Sequence, residues 1–128
     1  MTTVVAGILE RNGKILACQR REDQSHPGKW EFPGGKVEAG ETAEEALRRE
    51  LEEELQIRAR IGEKIAAYEH AYPGKEAISL VFFRVEEFDG QMDVSQFQAD
   101  NWVEPAKIGD LDFLEGDVEI LRVLRVGA

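Results

Sequence analysis

Glu50, Glu53 and Glu54 fall within one helical turn of a 128-residue chain. They belong to the segment GKVEAGETAEEALRRELEEELQI, residues 35–57, in which a glycine turn leads into an acid-rich helix. Residues three and four apart share a helix face. Glu50 therefore meets Glu53 and Glu54, at a cost of about 0.2–0.5 kcal/mol per pair. Glu52, Glu53 and Glu54 also occupy the last turn, where the macrodipole is already negative and favours Lys or Arg. An acidic run is ordinarily a solvated helix face. Acids crowded at the wrong helix end point instead to a bound cation. Carboxylate oxygens are the donors that Mg²⁺ takes, with Mn²⁺ as the alternative, and waters and substrate phosphates complete the octahedron.

The elements that must carry these groups follow from pattern. Thr42 and Glu45 make a capping box, and Leu47, Leu51 and Leu55 form the buried stripe of the helix they open. Thr3–Leu9 and Lys14–Gln19 read as strands joined across Asn12-Gly13, a strong hairpin signal. Arg21–Lys29 reads as a loop, Trp30–Phe32 as a brief strand, and Pro33-Gly34-Gly35 as a turn. Ile65–Tyr72 and Ala77–Val85 form a second hairpin across Pro73-Gly74-Lys75, and Leu80 to Phe83 predict burial on both faces. Asp89-Gly90 marks a turn, Asn101–Val103 a short strand before Pro105, and Asp110–Gly116 an irregular stretch. A second helix starts at Asp117, with Ile120, Leu121, Val123 and Leu124 as its apolar positions. The expected fold is one α+β domain over residues 1–128: a mixed sheet with the motif helix and a C-terminal helix on either side, an α/β/α sandwich.

A formal net charge of −10 argues against a nucleic-acid polymer as partner. It leaves room for a small anionic ligand where metal ions neutralise the local field. No apolar run approaches the ~18 residues of a membrane span, and MTTVVAGILERNGK lacks the basic region and cleavage site of a signal peptide. The single cysteine, Cys18, excludes an intrachain disulfide and reads as strand packing in a cytoplasmic protein. His26 and His70 read as surface residues of a loop and a strand.

The same segment resembles the motif of the Nudix hydrolases: Gly, five residues, Glu, seven residues, then Arg-Glu-apolar-x-Glu-Glu-x-Gly-apolar. Gly35, Glu41, Arg49, Glu50, Leu51, Glu53, Glu54 and Ile57 match in register. The resemblance implies the Nudix fold and phosphoanhydride hydrolysis. Such cleavage needs metal to bridge phosphate oxygens, neutralise developing charge and generate a nucleophilic water. It implies Glu50, Glu53 and Glu54 as metal ligands together with the Gly34 carbonyl, and Glu50 as candidate base. It gives Glu41 and Arg49 an orienting role, with Arg49 pointing off the acidic face. The departure is Gln56, where the family has Gly, and a changed backbone is expected at that corner.

WEFPGGK, residues 30–36, and KILACQR before it resemble the MutT branch and the related CTP and 5-methyl-dCTP pyrophosphohydrolases. These cleave nucleoside triphosphates to monophosphate and pyrophosphate. The resemblance places Arg20 on phosphate, where the plain alternative is a solvated strand-end charge. It places Phe32 in the base pocket, where the alternative is core packing. It puts Asp117 at the base-reading position, where the alternative is a helix N-cap. An ionised Asp117 accepts hydrogen bonds only and favours an exocyclic amine, as on cytosine. A further carboxylate is sought in SQFQADNWVE, where Gln96 and Asn101 stand at the equivalent places and Asp100 and Glu104 nearby. The expected activity is Mg²⁺-dependent hydrolysis of modified (d)NTPs, 8-oxo-dGTP or cytidine nucleotides, by a monomer or homodimer. The alternatives are hydrolysis of ADP-ribose or dinucleoside polyphosphates, and a non-catalytic nucleotide-binding module.

Overall fold

The computed structural model describes residues 1–126. β1 (Thr3–Arg11) and β2 (Lys14–Gln19) form the expected hairpin. Asn12 and Gly13 take φ 53° and 75°, the two positive values that a tight hairpin turn demands. The remaining strands are β3 (Trp30–Glu31), β4 (Gly34–Lys36), β5 (Arg58–Arg60), β6 (Lys64–His70), β7 (Ile78–Val85), β8 (Glu87–Asp89) and β9 (Ala99–Val103). The helices are α1 (Ala43–Leu55) and α2 (Val118–Val126).

β1 organises the main sheet, whose order is β3-β2-β1-β7-β6, with β4 also on β1 and β9 also on β2. It runs parallel to β7 from Thr3–Ser79 to Leu9–Val85. Its other edge is shared: β4 pairs antiparallel with Val4 to Ala6, and β2 with Glu10 and Arg11. β5 and β8 make a separate two-stranded ribbon. Gly34–Lys36 is thus a strand where a turn was expected. Gly34 permits it, because a Cβ there would collide with the Val5 carbonyl oxygen.

Alternation along the strands sorts the core into two layers. Val5, Leu9, Leu16, Phe83 and Val85 face α1 and its Leu47, Leu51 and Leu55. Ala6, Ile8, Ile15, Phe32 and Phe82 face α2 and its Ile120, Leu121 and Leu124. Each buried leucine of α1 contributes ~2 kcal/mol. The two-sided burial expected of Leu80 to Phe83 is observed, with Phe82 and Phe83 in opposite layers. Val123 departs from expectation and is exposed. The stretch before α2 is less irregular than expected, since Pro105–Asp110 and Glu115–Asp117 form 3-10 turns.

Candidate active site

The capping box closes the start of α1: Thr42 accepts from the Glu45 amide, and the Glu45 carboxylate accepts from the Thr42 amide at 2.8 Å. This fixes the helix against the loop that brings Gly35 and Glu41 to it. A Cβ on Gly35 would overlap the Glu50 carboxyl, so glycine there is what lets β4 and Glu50 meet. No basic residue occupies the last turn of α1. The repulsion among its acids is met from the previous turn, by Arg49.

Arg49 does not point off the acidic face. Its guanidinium binds Glu41 twice, at 2.7 and 3.0 Å, Glu50 at 2.9 Å, Glu53 at 3.2 Å and the Lys36 carbonyl at 3.0 Å. Three carboxylates outcompete water for one planar cation with five donors. The Arg49 hydrogen bond, and then the Glu38 amide, hold the Glu41 carboxyl below its ordinary range. Glu41 and Arg49 tie loop to helix, in the geometry an orienting role requires.

Glu54 lies across from this pair and accepts from the Gly34 amide at 3.0 Å. Burial pushes its carboxyl up to about 8, with Glu31 and Glu50 adding repulsion against that hydrogen bond. Burial also raises Glu50, opposed by Arg49. The hydrogen bonds Gly7 N–H to Pro33 C=O and Val37 N–H to Thr3 C=O place Gly34 at a non-bonded pair of the β1–β4 ladder. Both its N–H and its C=O therefore turn away from β1. Among the described residues no three acidic, imidazole or thiol groups converge as a ready cation cage. Arg49 draws Glu50 and Glu53 one way, and the Gly34 amide holds Glu54 another. The donor set still fits a divalent ion. It offers hard oxygens, and in Glu50 and Glu54 carboxyls that burial raises and a cation would return to the ionised form.

A cavity of about 490 Å³ runs from this corner across the sheet, past Gly34, Glu54, Arg20, Glu31 and Phe32 to Asp117. That is the size of a small-ligand site. Arg20 is not a solvated charge. It bonds Glu31 at 2.9 Å and the Ser25 carbonyl at 2.7 Å, fastening the 21–29 loop to the cavity rim. Phe32 is packed in the core, its ring centroid 4.9 Å from that of Phe113 and 6.5 Å from that of Phe82. Only 4% of Phe32 is exposed, so its face is a wall of the cavity rather than an open stacking platform.

Asp117 is 8% exposed and its carboxyl makes no hydrogen bond among the described residues. Burial first, and Glu31 second, push it up to about 8. It does not cap α2. The Ile120 amide, which an Asp cap would satisfy, donates to the Tyr68 hydroxyl at 3.3 Å. Of the ionised and protonated forms considered from the sequence, desolvation favours the protonated one.

Gln56 also corrects an expectation. It takes φ 57°, ψ 34° at the end of α1, the left-handed conformation glycine adopts at that cap, and its amide bonds the Glu52 carbonyl. The corner is kept under strain rather than rebuilt. Gln96 donates to the Glu53 carbonyl at 3.0 Å and lines the cavity, while Asp100, Asn101 and Glu104 are exposed. Cys18 is buried, as expected of a packing residue. His70 is a half-buried neighbour of Tyr72 rather than a surface residue.

The NUDIX domain model matches residues 1–124. The chain belongs to the Nudix family. It is 40% identical over 122 residues to the CTP pyrophosphohydrolase of Escherichia coli K12, covering 95% of this chain and 90% of that one. It is 45% identical over 122 residues to the 8-oxo-dGTP diphosphatase of Haemophilus influenzae, covering 94% and 89%. The solution structure of the E. coli ORF135 protein superposes with TM-score 0.88 at 38% identity, over 98% of this chain and 89% of that one.

Within this Nudix hydrolase the folded chain brings Glu54, Gly34, Arg20, Phe32 and Asp117 around one cavity, while Glu41, Glu50 and Glu53 gather on Arg49 outside its lining. Sequence reasoning missed Glu31, Tyr68 and Tyr72. Glu31 had a signal, an acid between two aromatics in a strand. The tyrosines had none, because their partners lie more than forty positions away.

Proposed function

We propose that this protein is a MutT-type nucleoside triphosphate pyrophosphohydrolase, one catalytic unit over residues 1–128. It works with Mg²⁺ in the cytoplasm, as a monomer or homodimer, on modified or cytidine (d)NTPs. One observation carries the reading: a single cavity joins the glutamate corner to an unpartnered acid at its far end. Relatives named for CTP and for 8-oxo-dGTP support the substrate class.

Glu50, Glu53, Glu54 and the Gly34 carbonyl would hold the ion. When bound, a divalent ion draws charge from the phosphate oxygens and makes water nucleophilic. Arg49 and Glu41 keep the Glu50 and Glu53 oxygens in place, and Glu50 is the candidate base. Arg20, at the cavity rim, meets the phosphates.

Asp117 sets the base. In its neutral form it both donates and accepts, which matches the ring nitrogen and amine edge of cytosine. In its ionised form it only accepts, which matches the two donors of guanine. With the carboxyl titrating at about 8, the preference turns from cytosine toward guanine as pH rises from 7 to 9.

A (d)NTP panel with Mg²⁺ containing CTP, dCTP, 5-methyl-dCTP, dGTP and 8-oxo-dGTP, run at both pH values, tests this. Glu53→Gln abolishes hydrolysis of every member. Asp117→Asn carries donor and acceptor at every pH, so its profile stays constant. The reaction class is lost if Glu53→Gln hydrolyses normally. The base assignment is lost if Asp117→Ala discriminates like the wild type.

A further inference from the structure

Three hydrogen bonds meet just ahead of α2. The Tyr68 hydroxyl donates to the Gly116 carbonyl at 2.6 Å and accepts from the Ile120 amide at 3.3 Å. The Tyr72 hydroxyl accepts from the Gly116 amide at 3.1 Å. The peptide units on either side of Gly116 are thus held by oxygens from β6 and from the residues after it. The fit is tight: a Cβ on Gly116 would lie 2.7 Å from the Tyr72 hydroxyl and 3.4 Å from His70 Cδ2. The rings are themselves held, Tyr68 stacked on Phe82 at 5.6 Å and Tyr72 between His26 at 5.0 Å and His70 at 4.6 Å.

Asp is among the best N-cap residues, because its side chain accepts from the second or third helical amide. Asp117 stands at that position and does not do so. The Val118 amide bonds Glu115 and the Asp117 amide bonds Leu114 within the 3-10 turn. Tyr68 has the Ile120 amide. We propose that Tyr68 and Tyr72 are positioning residues for base recognition: their hydroxyls take the helix-end hydrogen bonds and fix the Gly116 backbone, which leaves the Asp117 carboxyl free to face the nucleotide. This rests on the reading of Asp117 as the base contact. The titratable groups around Asp117 are Glu31 on β3, Tyr68 on β6, Tyr72 after it, and Glu115 and Glu119 beside it in sequence. Tyr68 alone among them takes a hydrogen bond that Asp117 would otherwise accept.

Tyr68→Phe removes one oxygen and keeps the ring. Without that acceptor the Asp117 carboxyl turns back onto the Ile120 amide. In nucleotide-free protein, ¹³C NMR titration of Asp117 then shows a midpoint lowered from about 8 by more than about one unit. With nucleotide, KM rises about tenfold, the equivalent of one hydrogen bond, while kcat stays. Tyr72→Phe moves both in the same direction by less, and carries the test if Tyr68→Phe does not fold. In an Asp117→Ala background Tyr68→Phe adds nothing to KM, since it acts through the missing carboxyl. An unchanged Asp117 midpoint overturns the proposal, as does a KM effect that multiplies with that of Asp117→Ala. The titration needs no substrate. If the midpoint falls but Asp117→Ala keeps base discrimination, the tyrosines hold the carboxyl and the base-reading assignment is what fails.

Discussion

Along α1, beside the cavity, Glu41, Glu50 and Glu53 all reach one guanidinium; at the α2 end of the cavity, Asp117 reaches no partner among the described residues. The first arrangement favours charge. A cation spread over five donors opposes the protonation that crowding and burial promote: it holds Glu41 below its ordinary range, although burial still raises Glu50. The second suppresses charge. Burial holds a carboxyl neutral, and a neutral carboxyl distinguishes donors from acceptors, which suits an uncharged base. The ionic end adjoins the cavity through Glu54, the one motif glutamate in its lining, and the hydrogen-bonding end is Asp117, with Arg20, Glu31 and Phe32 between them.

Breaking the ionic end has the largest expected effect. Arg49→Lys loses the fork that binds Glu41 twice, and kcat falls about 10- to 100-fold while the fold remains. Steady-state kinetics at saturating Mg²⁺ read this. An unchanged kcat would mean the acids need no shared cation. The neutral end is sharpened by stability against pH. Burial pushes the folded Asp117 carboxyl up to about 8, above the ordinary ~3.9 of an aspartate, so in the window between them the native state keeps a proton that the unfolded chain has released. Stability from this group is complete at low pH and is lost as pH rises through about 8. Asp117→Asn has no proton to lose. Between pH 5 and pH 9 its Tm gains on the wild type by on the order of 10 °C in calorimetry; parallel curves would show that Asp117 is not held neutral. The smallest effect tests whether the ionic end tolerates backbone strain. Gln56→Gly relieves the left-handed cap and stabilises by about 1 kcal/mol in urea unfolding, with kinetics unchanged.

The ionic end was legible in the sequence because it is local. Thr42 with Glu45, Gly35 with Glu50, and Glu41 with Arg49 all lie within fifteen or so positions, and helix geometry relates them. Even there the direction of Arg49 was misjudged, since it depends on which acids compete for its donors. The sheet was legible from alternation and from Asn12-Gly13, but not the strand at Gly34, whose pairing depends on an approach to Val5. At the neutral end the identity of Asp117 was visible and its state was not. Helix-capping statistics name Asp117 as a cap; the hydroxyl of Tyr68, brought over by β6, decides otherwise. Phe32 likewise needed Phe82 and Phe113 in place before its ring could be read as wall rather than platform.

The parallel pairing of β1 with β7 joins Thr3 to Ser79 and Leu9 to Val85. Such distant contacts close slowly, after the loop between them has been ordered. During synthesis the whole acidic motif emerges while one edge of β1 still waits for its neighbour. A nascent chain that ends before β7 therefore has every motif glutamate and only part of the sheet, β1 with β2 and β4, behind them.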